Sequence, residues 1–509
     1  ATLSAAELQA RLAGPEKNQN PMFQGIMKMP TGQSLLDLTQ RTLRCGVDIW
    51  TFQYHTVGGA GEPTTSSAAL MTPTGGADCT GPRPVVSYAR SASMQRYIDL
   101  ANLDQNYLGE PELLAALFAA QGYIVVASNY AGYDQSTLGY HPYFNADQQS
   151  GEMIDALAAA KTALTHGNGP STAGDQLLVA GYSQGGHVAM ATHRAMQRLG
   201  MRVVASAASA GPFAMALFGD HLFQGRDATP GNTLQLPLLF TGYQRAYGDL
   251  YRSSAEYYLA PFADGIEGLL PSAADPSALV RSGKLPQRAV FSLTPPTAAD
   301  PTEQKVFDAM TPPVTGRPAV DAMNRQAFGD PALVRNQLRA DVLADIAAHP
   351  DGASVSPLGV GLPNPNARHP LRRAFVRNDL RGWTPASPVF MCSFRSNPWV
   401  PYASNQHQMA ALWSGLPFGR VTTLDLEADA SITDSLFTSA AKQAMTQSKE
   451  KVMADAVAKG ATDGGRMALA TSAHHWLGQP LCMAATLVFF EDVLNTPVRG
   501  SGIRTSPGR

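Results

Sequence analysis

The segment Leu177–Met190, LLVAGYSQGGHVAM, contains a serine whose surroundings are typical of a nucleophile. Ser183 lies between Gly181 and Gly185 in the pattern Gly-x-Ser-x-Gly, after an apolar run and before a helical pattern of small residues. In such a turn the serine adopts a strained backbone conformation, and larger residues at the two glycine positions would clash with the strand or the helix. The turn would lift the hydroxyl above the carboxyl ends of parallel strands, where the Gln184 N–H could stabilise an oxyanion. An ordinary strand–helix connection is the alternative, but the sequence context favours a nucleophile.

A serine nucleophile requires a base, and in this strand–serine–helix arrangement a histidine base comes last in the chain. Of the 11 histidines, His474 and His475 follow the final predicted strand and precede the last predicted helix. His474 follows small residues in a predicted loop from which its ring could reach the serine, so we predict it as the base. His475 is the alternative base. His141, within GYHPYF, either lines the site or packs in a loop.

The residue that orients the histidine departs from the usual pattern. After the predicted strand SPVFMCSF the loop reads RSNPWVPYASN, where most enzymes of this kind have Asp-Pro-x-Val-Pro. Asn397 stands at the aspartate position. An amide can hydrogen-bond an imidazole, but it does not stabilise an imidazolium as a carboxylate does. Either Asn397 orients the histidine, or a carboxylate at the end of the next predicted strand, for which Asp425 is the first candidate, replaces it.

Alternating apolar strands and amphipathic helices must position these residues. Strands are predicted at PVVSYAR, YIVVASNY, QLLVAGYS and MRVVASAASAG, and helices at EPELLAALFAAQG, SGEMIDALAAAKTALTHG and GGHVAMATHRAMQRLG. Pro111 in the first turn and Gly122 at the end delimit the first of these helices. The alternation predicts an α/β fold of βαβ units around a mostly parallel sheet, with the serine turn after the third strand.

The alternation of predicted strands and helices stops in the middle of the chain. Residues 244–386 are rich in Pro and Ala and contain short helical pieces, which predicts a mostly helical insertion. The α/β pattern resumes at SPVFMCSF and RVTTLDLE and ends with the helix PLCMAATLVFFEDVL. We therefore predict a core formed by residues 81–243 and 387–509, preceded by an irregular extension over residues 1–80 with one strand candidate, VDIWTFQYHTV.

The bulk composition excludes several classes of function. The chain has 509 residues, 44% of them hydrophobic and 15% charged, which is typical of a globular protein. A formal net charge of −2 gives no electrostatic footprint for nucleic acid or for an anionic membrane. No apolar run reaches about eighteen residues, so no transmembrane helix is expected. The first residue is Ala1, which removal of a signal peptide or trimming of the chain would explain.

The four cysteines give evidence about the cellular compartment of the protein. Cys45 and Cys79 lie in Gly-, Pro- and Thr-rich surroundings, where a disulfide is expected if the protein is exported. Cys392 and Cys482 lie in apolar runs and form either a second disulfide or two buried thiols. None belongs to a CxxC pair, so no zinc or redox motif and no metal site is predicted.

Several segments together resemble the α/β-hydrolase superfamily, in particular its secretory-lipase-like branch of fungal lipase A-type enzymes and bacterial secreted esterases. They are VVSYARS, GYIVVASNYAGYDQSTLGYHPYF, GYSQGG, NDLRGWTPASPVFMCSFRSNPWVPYASN and HHWLGQPLCMAATLVFF, and they cover most of Pro84–Tyr243 and Asn378–Leu494. The resemblance implies an α/β-hydrolase fold, hydrolysis of carboxylic esters with lipid-like or bulky acyl groups, and no metal or organic cofactor. It also implies that the helical insertion caps the site.

The resemblance also implies where a second oxyanion donor should lie. In relatives, the turn after the VVSY strand supplies this N–H group, often with the sequence His-Gly-Thr. Here the turn reads Arg90-Ser91-Ala92, and Ser91 is the predicted donor.

These residues predict a secreted or periplasmic serine hydrolase that cleaves lipid-like, bulky or polymeric carboxylic esters through an acyl-enzyme. Contact of the cap with a lipid interface belongs to the same prediction. An acyltransferase or a peptidase would use the same site, and the motifs do not separate them. A non-catalytic binding protein of this fold is the alternative from another class, but without catalysis a strained serine turn has little physical reason to persist.

Overall fold

The computed structural model describes residues 1–13, 34–104, 109–167, 169–316, 318–417 and 419–496. The strands of these residues are β1 (Thr2–Leu3), β2 (Gly46–Val57), β3 (Pro63–Thr74), β4 (Gly81–Ala89), β5 (Ile124–Ser128), β6 (Ser171–Tyr182), β7 (Ala205–Ser209), β8 (Ser354–Val355), β9 (Gly361–Leu362), β10 (Val389–Ser393) and β11 (Val421–Asp425). Nine of them form one sheet in the order β1-β2-β3-β5-β4-β6-β7-β10-β11. Neighbours from β5 to β11 pair in parallel, and those from β1 to β5 pair antiparallel. The predicted α/β fold with a mostly parallel sheet is confirmed.

Seventeen α-helices lie in the described residues. They are α1 (Ala5–Ala13), α2 (Leu35–Thr39), α3 (Glu110–Leu117), α4 (Ala146–His166), α5 (Gln184–Arg198), α6 (Met215–Phe223), α7 (Asn232–Tyr247), α8 (Ala260–Ala263), α9 (Pro276–Arg281), α10 (Pro301–Asp308), α11 (Pro318–Gln326), α12 (Asn336–Ala348), α13 (Pro370–Arg377), α14 (Gln406–Leu412), α15 (Leu436–Ala458), α16 (Arg466–Ser472) and α17 (Gln479–Asn495). A π-helical turn, Ala473–Gly478, joins the last two.

Both faces of the sheet are buried at its central parallel strands, because helices cover each side. Along β4, Val86 and Tyr88 pack into one hydrophobic cluster together with α3 and α17. Their neighbours Val85 and Ala89 point to the opposite face and pack with α4 and α5. The short strands β5 and β10 are buried at every residue, which explains why they read as uninterrupted apolar runs.

The predicted irregular extension over residues 1–80 is wrong for much of the part that the structure describes, residues 1–13 and 34–80, while residues 14–33 lie outside the described residues. The candidate strand VDIWTFQYHTV does form, within β2, and PTTSSAALMTPT forms β3. These two strands pair antiparallel along their whole length, and β3 joins them to the parallel strands through β5. The Pro and Thr residues of β3 resemble a loop composition, but threonine is β-branched and suits a pleated sheet.

The helical insertion begins earlier than predicted. It occupies the chain between β7 and β10, from α6 to α13, with the small hairpin β8–β9. Leu222 of α6, Leu239 of α7 and Phe375 of α13 belong to one hydrophobic cluster that is separate from those of the sheet. The predicted boundary at residue 244 falls inside α7, because these first two helices continue the spacing of the preceding βαβ units.

Two disulfides stabilise the described part of the chain. Cys45–Cys79 confirms the expected pair, and Cys392–Cys482 joins β10 to α17. The continuous helical stretch Arg466–Asn495 is long and apolar enough to cross a membrane, but 67% of its most apolar window is buried inside the fold. That burial is typical of a core helix.

Candidate active site

The turn between β6 and α5 holds Ser183 in a strained backbone conformation. Its φ of 59° and ψ of −120° lie outside the regions that non-glycine residues ordinarily adopt. A Cβ atom on Gly181 would lie 2.1 Å from the Gly185 carbonyl oxygen, and one on Gly185 would lie 1.9 Å from the Ala89 carbonyl oxygen. Both glycines are therefore required by the close approach of the backbone, as the sequence pattern predicts.

A buried chain of hydrogen bonds starts at this serine. Ser183 Oγ lies 2.8 Å from His474 Nε2, and His474 Nδ1 lies 3.0 Å from Asn397 Oδ1. Asn397 Oδ1 also accepts from the backbone N–H groups of Trp399 and Val400, at 3.1 and 3.2 Å. These two donors fix the orientation of the amide, so His474 Nδ1–H donates to Asn397 and Nε2 accepts the serine proton. The exposed fractions of Ser183, His474 and Asn397 are 8, 1 and 0%.

His474 lies in the π-helical turn rather than in the predicted loop. The Tyr182 hydroxyl donates to the His474 carbonyl oxygen at 2.7 Å, which ties this turn to the end of β6. At the end of the turn, a Cβ atom on Gly478 would lie 2.6 Å from the Tyr182 hydroxyl. A π-helical turn in an otherwise α-helical run is frequent at functional sites.

Burial keeps the His474 imidazole neutral. It lowers the pKa of His474 well below its usual value, and the neighbouring His475 lowers it further. Asn397 is uncharged and cannot offset these effects as a carboxylate would. The histidine is therefore in the protonation state that a general base requires.

His475, the alternative base, points elsewhere. Its ring centroid lies 4.7 Å from that of His474, and its Nδ1 lies 3.4 Å from Gln479 Oε1. Burial lowers the pKa of His475 to about 4. The structure brings His474, rather than His475, into hydrogen-bond contact with Ser183.

Asp425, the predicted substitute for the missing acid, does not face the histidine. Its Oδ2 atom accepts from Arg395 Nε at 2.6 Å, and its Oδ1 atom accepts from the Glu427 N–H at 3.0 Å. Glu427 in turn accepts from the Ser396 N–H at 2.7 Å. The two carboxylates thus hold the loop that carries Asn397. The prediction that Asp425 replaces the missing acid is therefore corrected.

The predicted oxyanion donor Ser91 is also corrected. Its N–H donates to both carboxylate oxygens of Glu110, at 3.1 and 3.4 Å, and is therefore occupied. The next residue, Ala92, lines the same cavity as Ser183 and His474. The Ala92 N–H has no acceptor among the described residues, so it is the donor that the geometry offers.

The predicted donor Gln184 has a backbone N–H group at the start of α5. Its N–H stands at the first position of α5, where no intrahelical acceptor exists. The side chain is held away from the serine, with Nε2 2.7 Å from His141 Nε2. His141 donates through Nδ1 to the Ala131 carbonyl oxygen at 2.9 Å, and burial lowers its pKa to about 3. The neutral His141 ring therefore accepts from Gln184 and lies behind the site.

The chain is similar to known proteins that are described as hydrolases. The prolyl oligopeptidase family model matches residues 112–235, and no curated protein sequence matches the chain. A ligand-bound structure of the rice cell wall degrading esterase LipA from Xanthomonas oryzae superposes with a TM-score of 0.63 and 21% identity, over 96% of this chain and 95% of that chain. The chain has the α/β-hydrolase fold. A Legionella pneumophila protein described as a candidate hydrolase matches with a TM-score of 0.60 and 15% identity, over 98% of each chain.

In this α/β-hydrolase fold the serine faces a small apolar cavity of about 50 Å³. The core contributes Ala92, Ser183, His474 and His475 to its walls. The helical insertion contributes mostly apolar side chains, among them Met215, Phe218, Leu222, Asn232, Gln235, Leu236, Leu239 and Phe375. Within the described residues, no group of three or more His, Cys, Asp or Glu side chains is arranged to hold a metal ion.

Three residues of this α/β-hydrolase site carry no signal in the sequence. Glu110 reads as an ordinary first residue of a helix, and Ala92 as part of a turn. Trp399 stands at a variable position of the loop motif. In the structure its indole ring packs directly against Gly231, where a Cβ atom would lie 2.2 Å from the ring. Contacts between distant segments define all three, which explains why the local sequence does not reveal them.

Proposed function

We propose that the protein is a serine hydrolase that cleaves carboxylic esters through an acyl-enzyme. The observation that carries the proposal is the buried Ser183–His474–Asn397 hydrogen-bond chain at a strained turn. A nucleophile in contact with a base that is itself oriented by a third group is the signature of this chemistry.

In the proposed reaction His474 Nε2 takes the proton of the Ser183 hydroxyl as the oxygen attacks the ester carbonyl carbon. The N–H groups of Gln184 and Ala92 stabilise the negative charge on the carbonyl oxygen. His474 then protonates the leaving alcohol, which yields the acyl-enzyme. A water molecule, deprotonated by His474, attacks the acyl carbon and releases the acid and the free serine.

Ester substrates are supported by the apolar cavity and by the fold shared with an esterase that degrades rice cell walls. We infer that the helical insertion is a cap whose side chains select the acyl group. A polymeric cell-wall ester or a substrate at a lipid interface would approach through this cap. Two disulfides support an extracellular or periplasmic location, where the oxidising environment maintains them.

The test combines an ester panel with labelling of the serine. We expect hydrolysis of p-nitrophenyl esters of two to sixteen carbons and labelling by a fluorophosphonate, and Ser183→Ala should abolish both. The free energy of unfolding should change by less than about 1 kcal/mol, because the hydroxyl contributes little packing. Ser87→Ala, at a buried serine of β4, is the matched control and should keep full activity. Strong residual hydrolysis by Ser183→Ala would mean that the nucleophile is another residue.

A peptidase is the second candidate, because the matched prolyl oligopeptidase segment contains Ser183. Matched p-nitrophenyl esters and p-nitroanilides separate the two activities, and the proposal expects the ester to be hydrolysed far faster. An acyltransferase would divert the acyl-enzyme to an added alcohol, which product analysis detects.

A further inference from the structure

A buried carboxylate lies directly behind the proposed oxyanion site. Glu110, the first residue of α3, accepts from the Tyr88 hydroxyl at 2.6 Å and from the Ser91 N–H and hydroxyl at 3.1 and 3.2 Å. Its side chain is almost fully buried. The Ser91 hydroxyl also lies 3.4 Å from the Tyr182 carbonyl oxygen, which shares the single hydroxyl proton with Glu110. Glu110 therefore fixes the peptide that immediately precedes the Ala92 N–H.

The same carboxylate reaches the segment that carries the base. Gln479, the first residue of α17, donates through Nε2 to Glu110 Oε1 at 3.0 Å. The Oε1 atom of Gln479 lies 3.4 Å from His475 Nδ1, next to His474 in the π-helical turn. Glu110 and Gln479 are 369 positions apart in the chain. One side chain thus connects the turn after β4 to the end of the π-helical turn.

Four donors on one buried carboxylate offset part of the cost of burying it. Burial raises the pKa of Glu110 above its ordinary value, and the hydrogen bonds from Tyr88 and Ser91 and the Arg90 guanidinium reduce this rise. Arg90 itself is buried and donates to the carbonyl oxygens of Ser91 and Asn129. All four donors converge on Oε1, where the oxygen of a carboxamide could still accept them, so a test must remove both oxygens, as Glu110→Met does.

We propose that Glu110 is a positioning residue of the oxyanion site, which holds the turn after β4 so that the Ala92 N–H faces the reacting carbonyl oxygen. The inference rests on the proposed function of Ser183. It assigns to Glu110 no contact with substrate. Its effect falls on the stabilisation of the transition state, because the oxyanion forms only there.

The test is Glu110→Met, which removes the acceptor oxygens at similar side-chain length, compared with the wild type on p-nitrophenyl acetate. We expect kcat to fall at least about tenfold with KM changed by less than about twofold, since an oxyanion donor acts mainly in the transition state. Affinity for a phenylboronic acid, whose adduct with the serine carries an oxyanion-like oxygen, should fall by a factor similar to that of kcat.

Glu152→Met is the matched control. Glu152 is a second buried carboxylate, and it accepts from Tyr54, Ser128 and Gln148 at 3.2, 3.4 and 3.2 Å, outside the cavity of Ser183. Its pKa is also raised by burial. The control should lose thermal stability to a similar degree but keep kcat and boronate affinity within about twofold of the wild type. An equal loss of kcat in both variants would reduce Glu110 to a structural role and overturn the proposal.

A second variant keeps the test decisive if Glu110→Met does not fold. Gln479→Met removes the bond between α17 and the carboxylate, together with the contact of Gln479 Oε1 with His475, and we expect a smaller fall of kcat in the same direction. Wild-type values in a folded Glu110→Met or, where that variant fails to fold, in Gln479→Met overturn the proposal. Fluorophosphonate labelling of the wild type distinguishes failure of this proposal from failure of the proposed function. If only the role of Glu110 is wrong, Ser183 is still labelled.

Discussion

At the scale of single residues, the neutral amide of Asn397 sets the electrostatics of the base. Asn397→Asp would place a carboxylate where three N–H donors converge, those of His474, Trp399 and Val400. The carboxylate would raise the pKa of His474 and stabilise the imidazolium that forms as the serine attacks, so kcat should rise. In serine proteases the opposite change, from Asp to Asn, lowers kcat about 10⁴-fold, and this factor is the upper bound of the expected rise.

The pH dependence of kcat/KM tests whether Asn397→Asp raises the pKa of His474. The base acts in its neutral form, so a low pKa of His474 keeps the wild type active toward acidic pH. In Asn397→Asp the pKa is higher, and the acidic limb of kcat/KM should move to higher pH. Asp425→Ala should retain activity, because its carboxylate binds Arg395, whereas Asn397→Ala should lose it. The reverse pattern would return the acid role to Asp425.

A second single-residue prediction concerns the polar part of the cavity wall. Asn232 Oδ1 accepts from the Thr229 N–H at 2.6 Å, so its Nδ2 donates to Gln235 Oε1 at 2.8 Å. Gln235 lines the cavity, and no acceptor for its Nε2 group is found among the described residues. We expect it to donate to an oxygen atom of the substrate.

Two nearly isosteric esters test this expectation. Gln235→Leu should lower kcat/KM for p-nitrophenyl methoxyacetate about 5–10-fold more than for p-nitrophenyl butyrate, which is the value of one hydrogen bond. Comparing the variant with the wild type on each ester cancels the different intrinsic reactivities. An equal loss on both esters would show that Gln235 only fills space.

At the scale of elements, the helical insertion determines the size of the cavity. Phe375 of α13 packs against Gly219 of α6, where a Cβ atom would lie 2.4 Å from its ring. Phe375→Leu should enlarge the cavity and shift the preferred acyl chain toward greater length, by about 1–3 kcal/mol of relative kcat/KM per added methylene contact. The p-nitrophenyl ester panel measures this shift.

Phe291→Leu is the matched control for the insertion. Phe291 is as deeply buried in the same hydrophobic cluster but does not line the cavity. Its substitution should lower stability and leave the chain-length profile unchanged. A profile unaffected by Phe375→Leu would make the insertion an interaction surface instead of a substrate-selecting cap.

At the scale of the whole molecule, the Cys392–Cys482 disulfide joins the two segments that carry Asn397 and His474. It connects Cys392 of β10, five residues before Asn397, to Cys482 of α17, the helix that begins directly after the π-helical turn. The bond spans 90 residues, and in the loop-entropy account its removal costs about 4–5 kcal/mol of unfolding free energy. We expect the Cys392→Ala, Cys482→Ala double variant to show this loss in urea unfolding and also a lower kcat.

The Cys45→Ala, Cys79→Ala double variant is the control for position. This bond spans 34 residues near the N-terminal strands, so a comparable loss of stability, about 4 kcal/mol, is expected without a direct effect on kcat. Equal kcat values in the two double variants, both folded, would show that the Cys392–Cys482 bond does not position the site.

The sequence by itself determines what is encoded by neighbouring residues. The serine turn depends on Gly181, Ser183 and Gly185, whose conformation is set by local steric contacts. Alternating apolar runs likewise indicate the parallel strands and the helices between them, because burial of both sheet faces imposes that pattern. The order of elements after the serine also predicts His474 as the residue that meets it.

Only the tertiary structure decides which groups meet across long separations. Ser183 and His474 are 291 positions apart, and His474 and Asn397 are 77 apart. Topology alone leaves Asn397 and Asp425 as alternatives, and the ion pair with Arg395 removes the second. Similarly, the bond from Ser91 to Glu110 moves the oxyanion donor to Ala92. A side chain's availability depends on the partner that already occupies it, and packing of distant segments selects that partner.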